Sequence, residues 1–458
     1  MKQTFLFMSV LIATLGHAQC WRSFAVDGSQ HTLALDTTGG LWSTGWNLSG
    51  QLGDGTTIDK NSLVPVGTDN DWVQIGAGSN HSMALKSNGT LWSWGLNNYG
   101  QLGNGTTLDH YSPQQVGMSS DWMRIFSGTN QNFGIRTNGT LWSWGDNTEG
   151  ELGDGTNTGH TVPVQVGTDS DWSEVATGEH HILALKSNGT LWSWGFNSLG
   201  QLGLGNTMDH NTPLQVGTDM NWVAIAAGQY FSMAIKSDGT LWATGDNAYG
   251  QLGIGNTTPT NTFVQAGTAN DWDKIAAGDL HSMAIKSDGT LWGWGLNNVG
   301  QLGTGNTTTE TSAVQVGSGA DWTDVAAGKY HTIARRIDES LWAFGDGSRG
   351  QLAQADNNDR HSPAEINCAL VTGMIEADQL PHVWQMYPIP ARDFIIIEGL
   401  LSYTWQHQVV DANGRVVQLS RSTGDRAVLD LSALAPAAYL LHSTSDVGQA
   451  THRFVVER

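Results

Sequence analysis

The stretch His81-Ser82-Met83-Ala84-Leu85-Lys86-Ser87-Asn88-Gly89-Thr90-Leu91-Trp92-Ser93-Trp94-Gly95, followed by Gly100-Gln101-Leu102-Gly103, decides the fold, because near-copies of it recur along the chain. Its Leu-Trp pair returns at Trp42, Trp92, Trp142, Trp192, Trp242, Trp292 and Trp342 with no insertion between copies. A second tryptophan keeps step at Trp72, Trp122, Trp172, Trp222, Trp272 and Trp322, and Trp21 takes its place, one residue displaced, in the first copy. The chain therefore holds seven units of about fifty residues.

Each unit reads as four short strands. In the copy quoted, Trp72 to Gly76 is the first; His81 to Lys86 alternates Met83 and Leu85 with Ser82 and Ala84, the pattern of a half-buried second strand. Ser87-Asn88-Gly89 is a tight hairpin, since Asn-Gly tolerates the positive φ that such turns need. Leu91 to Gly95 is the third strand and Pro113 to Gly117 the fourth. A lone four-stranded sheet cannot cover both its faces, so the units must stack around an axis, and seven of them close into a β-propeller. The bulky Trp92 and its equivalents are expected as wedges between blades.

Gly-x-x-His, Ala-Leu or Ala-Ile, Asn-Gly or Asp-Gly, Leu-Trp-x-Trp-Gly and Gly-Gln-Leu-Gly together resemble the repeat of the regulator of chromosome condensation family, over about Trp21 to Ile366. The Gly-Gly pair of kelch repeats occurs only at Gly39-Gly40, and WD repeats are shorter. His31, His81, His181, His281 and His331 suggest a ring of ligands, but Gln131 and Phe231 interrupt it, which favours a structural role.

The ends carry addresses. Met1-Lys2, the apolar run Phe5 to Leu15 and Gly16-His17-Ala18 form the pattern of a signal peptide over residues 1–18, too short to span a bilayer permanently. The propeller is expected over 19–368 and a linker over 369–385. From 386 to 458 the strand patterns Phe394-Ile395-Ile396-Ile397, Val409-Val410, Val416-Val417 and Ala438-Tyr439-Leu440-Leu441 read as a small C-terminal β-sandwich. That tail resembles the type A C-terminal sorting domain of the type IX secretion system of Bacteroidetes-type bacteria, with departures at Ile389 and Ala438. The resemblance implies a protein that interacts with that machinery and is secreted or held on the outer-membrane surface, via the periplasm. The fold class is thus all-β: a seven-bladed propeller followed by a small sandwich.

Function must come from what varies between copies. The hairpin Lys-Ser-Asn-Gly-Thr and the connections between units hardly change, whereas the residue before the histidine position and the third-to-fourth-strand turn are diverse among the copies. Strand alternation puts both variable loops at the same end of each blade. Trp46, Tyr99, His180, Phe196, Tyr230, Tyr249, Leu280 and Tyr330 are the candidate residues of a ligand-binding face for a protein or glycan. A net charge of -21 disfavours nucleic acid and anionic membrane surface as partners. No nucleophile elbow, zinc-protease helix, Cys-x-x-Cys or phosphate loop is present, and Asp54 to Asp59 lacks the ligand count of a calcium loop. The expectation is a binding protein with no catalytic residues, metal or cofactor. The family resemblance adds inhibition of an extracellular enzyme and guanine-nucleotide exchange as alternatives, and a carbohydrate-active enzyme is a further one.

Cys20 and Cys368, the only cysteines, flank the missing peptide link of the ring. Their register allows a disulfide, worth on the order of 4 kcal/mol in the chain-entropy model for so long a loop; two unpaired buried thiols are the alternative. Peptide mapping of the unreduced, exported protein is expected to recover a Cys20–Cys368 pair, and free thiols at both positions would refute it.

Overall fold

The computed structural model describes residues 21–26 and 28–366, and in the tail 385–387, 394–398, 404–411, 415–423, 426–445 and 448–456. The expected signal peptide, Cys20, Cys368 and the expected linker as far as residue 384 lie outside them, and with them the expected disulfide. The chain divides into two compact units, Met1–Asn367 and Cys368–Arg458.

The first unit is a seven-bladed propeller, and every blade is a four-stranded antiparallel sheet made of consecutive strands. Blade 1 runs through Trp21–Ala25, His31–Asp36, Leu41–Gly45 and Lys60–Pro65, and blade 7 through Trp322–Ala327, His331–Arg336, Leu341–Gly345 and Arg360–Ile366. No blade borrows a strand from another. In blade 2 the fourth strand is His110–Gln115, beginning three residues before the expected Pro113.

The second strands are buried on both faces: in His81–Lys86 only Lys86 is partly exposed. The alternation of Met83 and Leu85 with Ser82 and Ala84 marks two different neighbours instead of core and solvent. Met83 and Leu85 pack with Trp122 and Trp144 of the next blade. Ser82 and Ala84 pair across the sheet with Trp94 and Trp92, so small side chains stand opposite the indoles. Trp72 and Trp94 fill the seam with blade 1, where Leu33, Leu35 and Leu41 meet them. Trp92 lies at that seam as expected but only half-buried, so the filling wedge is Trp94, not Trp92.

Trp92 serves a second device that explains the monotony of one face. It meets Trp72 edge to face at 6.0 Å. The Lys86 ammonium lies 4.7 Å and 5.0 Å from the two ring centroids and reaches Asp69 at 2.6 Å and Asp71 at 3.1 Å. Below it Thr90 Oγ1 donates to Asn88 Oδ1 and accepts from Trp92 Nε1. Lysine, asparagine, glycine and threonine of the hairpin thus recur because each has a partner in the scaffold. Gly89 sits at φ 79°, where a side chain is strained.

The blades are joined by a repeated polar seam. Ser82 Oγ donates to the Gln51 carbonyl at 2.8 Å and stands 2.9 Å from His31 Nε2. Since the hydroxyl proton is committed to Gln51, the imidazole Nε2–H is the donor, which fixes the neutral tautomer. The same chain joins His181 with Ser232 and His281 with Thr332, and Asn132 replaces the hydroxyl beside His81. The ring closes in the same way: Thr32 Oγ1 donates to the Gln351 carbonyl at 2.7 Å and lies 3.4 Å from His331 Nε2. Trp21, Val26 and Ala34 pack there against Ile333, Leu341, Leu352 and Ile366. The glycine three residues before the histidine is needed because a Cβ on Gly78 would run into the His81 ring.

The second unit contains two antiparallel sheets. One joins Gln385–Tyr387, Phe394–Glu398 and Arg426–Asp430; the other joins Thr404–Val410, Val416–Thr423, Ala438–Ser445 and Gly448–Val455. Gln385, placed by sequence in the linker, already belongs to a strand. Val409, Leu429, Leu431 and Leu441 are buried within this unit.

Two expected outcomes follow from the propeller. Burial holds the five imidazoles far below their ordinary value, at about 3 for His31, His181 and His281 and about 4 for His81 and His331. A depressed folded-state histidine pKa means that the unfolded chain binds more protons. Stability is therefore complete above about pH 6.5 and falls as the pH drops toward 4, by up to about 1.4 kcal/mol per pH unit for each ring. Urea unfolding across this range should show the loss, and His281→Gln should reduce its slope by about one proton; an unchanged slope would refute the assignment. The second concerns Glu339, which holds φ 66° at the hairpin position filled by glycine in the other blades. Left-handed strain of about 1–2 kcal/mol, less the added chain entropy of glycine, makes Glu339→Gly stabilising by about 0.5–1 kcal/mol in thermal or urea unfolding.

Candidate ligand-binding face

In every blade the first-to-second-strand loop is tied to the third-to-fourth-strand turn by one backbone bond. The Trp46, Phe196 and Asp246 amides donate to the Gln30, His180 and Tyr230 carbonyls at 3.0, 2.9 and 2.8 Å. The two variable loops therefore lie together at one end of the ring, as strand alternation requires. The turn itself is rigid: Asn97 Nδ2 donates to the Thr106 and Leu108 carbonyls, Asn97 Oδ1 accepts from Leu102 N, and Gln101 Oε1 accepts from Tyr99 N. Asn and Gln of the repeat are thus turn-builders, and the residues between them are free to vary.

The eight candidate residues are spread around this end. Tyr99 and Tyr249 are the exposed aromatics, at 44% and 41%. Phe196 and Tyr230 form a half-buried pair with centroids 5.9 Å apart. Trp46 lies under the Arg349 guanidinium at 5.8 Å, Tyr330 lies beside the Lys329 ammonium, and Leu280 is half-buried. His180 is tied to Glu151 through Nδ1 at 3.3 Å, and this pairing, more than neighbouring burial opposes it, raises the histidine pKa.

The structure adds an inner ring that sequence comparison passed over, the residue two before the histidine position. Ser79, Thr129, Glu179, Gln229, Asp279 and Lys329 stand around the mouth of an axial cavity of about 280 Å³, whose wall is built from small residues of the first strands such as Gly76, Ser127 and Ala277. The mouth is laced by backbone bonds, Glu179 N to Gln229 O and Gln229 N to Asp279 O. Burial pushes Asp279 up to about 7, and nearby Glu179 adds to the effect while Lys329, 3.8 Å away, opposes it. Burial and a hydrogen bond with Glu179 also raise the Tyr230 hydroxyl. This sector of the mouth concentrates acidic groups beside aromatic rings. The departure that signals it was present in sequence: serine or threonine at the first copies gives way to Glu179, Asp279 and Lys329.

Comparison with known proteins defines the class first. The model of the RCC1-like domain matches residues 23–225, and those of the regulator of chromosome condensation repeat match 238–285 and 288–335 in one form and 222–251, 272–301 and 322–351 in another. The secretion system C-terminal sorting domain matches residues 385–457. The chain is therefore a regulator-of-chromosome-condensation-type seven-bladed propeller carrying a type IX sorting domain, which marks it for export to the cell surface or beyond.

Among solved structures, yeast RCC1 (Prp20) bound to Kap60 is similar, at 19% identity and a TM-score of 0.67 over 84% of this chain and 93% of that one. Prp20p from Saccharomyces cerevisiae, described with its binding to Gsp1p and histones, gives 21% and 0.66 over 77% and 90%. Human WBSCR16 gives 20% and 0.65 over 71% and 93%. At such identities the likeness is one of fold. No curated protein matches the sequence significantly.

Proposed function

We propose that this exported protein is a binding module that captures a protein partner on the variable face, acting by recognition and not by catalysis. The observation that carries the reading is the contrast between the two ends of one rigid ring. At the uniform end, the recurrent hairpin side chains have partners in the scaffold. At the other end, the same scaffold presents side chains that vary among the blades, including the exposed rings of Tyr99 and Tyr249. Aromatic side chains on rigid loops supply large contact area at small entropic cost.

Charge narrows the partner. Glu179 and Asp279 stand at the axial mouth against the single cation Lys329, and the chain as a whole carries -21. A partner that offers lysine or arginine side chains fits this sector, and long-range attraction would speed its approach. Inhibition of an extracellular enzyme is one form such capture can take. Nucleotide exchange rests on the shared fold alone, and no residue described above favours it.

The full exported chain, immobilised and offered basic proteins, acidic proteins and a glycan array, is expected to capture the basic proteins, and less well at raised salt. Tyr99→Ala with Tyr249→Ala should weaken capture about tenfold or more with the melting temperature unchanged. Equal capture by wild type and double variant, or capture confined to glycans, would overturn the proposal.

A further inference from the structure

One seam of the ring carries three exchanges together. Where the repeat has glutamine at Gln51, Gln101, Gln201, Gln251, Gln301 and Gln351, blade 3 has Glu151. The exchange coincides with two others across the same seam: Gln131 stands in the histidine position of blade 3, and Ile182 of blade 4 replaces the hydroxyl or amide that the histidine would meet. Gln131 instead donates to the Gly178 and Glu179 carbonyls.

The sister turns show what the glutamine does beside an aspartate. Gln251 Nε2 donates to Asp246 Oδ2 at 2.9 Å, and Gln351 Nε2 donates to Asp346 Oδ2 at 2.9 Å. Blade 3 keeps the aspartate, Asp146, but a carboxylate has no proton to give it. Asp146 is 7% exposed; its Oδ1 accepts from the Asn147 and Thr148 amides, while Oδ2 receives no hydrogen bond among the described residues. Glu151 is fully buried, with Oε2 accepting from the Glu149 amide at 2.7 Å and Oε1 lying 3.3 Å from His180 Nδ1. One donor atom each from Asp146, Glu151 and His180 lie within 4.8 Å of one another.

Two buried carboxylates against one imidazole leave negative charge uncompensated, and the other charged group acting on His180 is a further acid, Glu179. Burying an unpaired carboxylate is costly unless a cation joins it. From this geometry we propose that Asp146, Glu151 and His180 bind a divalent transition-metal ion, zinc foremost, at the seam of blades 3 and 4. Zinc takes imidazole nitrogen and carboxylate oxygen at about 2.0–2.2 Å, which places tetrahedral ligands about 3.4 Å apart. The His180–Glu151 separation of 3.3 Å is close to that value, and Asp146 Oδ2 supplies the third ligand. The amides of Asn147, Thr148 and Glu149 hold the carboxylates in place, the usual office of groups behind a metal ligand. His180 is part-exposed, so a fourth position is open to water or to a donor from outside the chain.

The test needs no partner protein, so its failure is distinct from failure of the binding proposal. Full-length protein stripped with chelator is titrated with Zn2+ by calorimetry, and with Co2+ for its visible spectrum. One Zn2+ per chain is expected, with a rise in melting temperature. Glu151→Gln restores the arrangement of blades 5 and 7, so it should fold at least as well as the stripped wild type while binding Zn2+ about a hundredfold more weakly or less. His180→Asn, the residue found at Asn80 and Asn130, should do the same. Asp154→Asn, which alters the separate His160–Asp154 pair, should leave binding intact. No saturable one-to-one binding by the wild type, or undiminished binding by Glu151→Gln, would overturn the proposal.

Discussion

The hydrogen-bonded chain that crosses five of the seven seams, from imidazole to a hydroxyl or amide to carbonyl, is the constraint from which the rest of the propeller follows. It requires a neutral histidine, a glycine three residues earlier to make room for the ring, and a small polar residue at the second position of the next blade's central strand. It also requires a carbonyl presented by the Gly-Gln-Leu-Gly turn. Each such bond contributes only about 1 kcal/mol. Its larger effect is geometric, because a buried polar group left unpaired is costly and so admits one registration of blade on blade. Indoles such as Trp94 then fill a gap whose width the polar chain has set, and anchor to the same carbonyl, Trp94 Nε1 to Gln51 O at 2.8 Å.

That arrangement separates structural from variable positions with unusual clarity. The lysine held between two indoles, the Asn-Gly-Thr hairpin and the turn-building asparagine all have partners that any exchange would strand. Between the turn-builders the copies diverge. The departures at blades 3 and 4 are a different matter, because three positions change together: histidine to Gln131, glutamine to Glu151 and hydroxyl to Ile182. There the Glu151 carboxylate faces Asp146 and His180.

Much of this was legible in the sequence, for physical reasons. Perfect spacing exposed the blades, and Asn-Gly exposed the hairpins, although only the glycine, Gly89 at φ 79°, takes a positive φ there. Strand alternation sufficed to put Tyr230 and Phe196 at one end, where their rings meet. Other features could not be read. Met83 against Ser82 looks like core against solvent, and only the stacking of blades shows that serine faces a tryptophan. Glu179, Asp279 and Lys329 are far apart in the chain and become a group only when a closed ring brings them to one mouth. Glu151 was visible as a single changed letter, but its meaning needed the sister pairs at Gln251 and Gln351.

Because no blade borrows a strand, the first and last strands belong to different sheets, and the only seam without a peptide link is that between blades 7 and 1. Among the described residues, the three non-glycine residues with positive φ, Glu339, Ala353 and Ala355, all lie in blade 7. The ring is a circular object written in linear form, and its order could begin at any inter-blade connection while keeping the same set of blade neighbours. A break placed elsewhere would move the gap without redrawing the molecule, which makes the present one a property of the gene and not of the architecture.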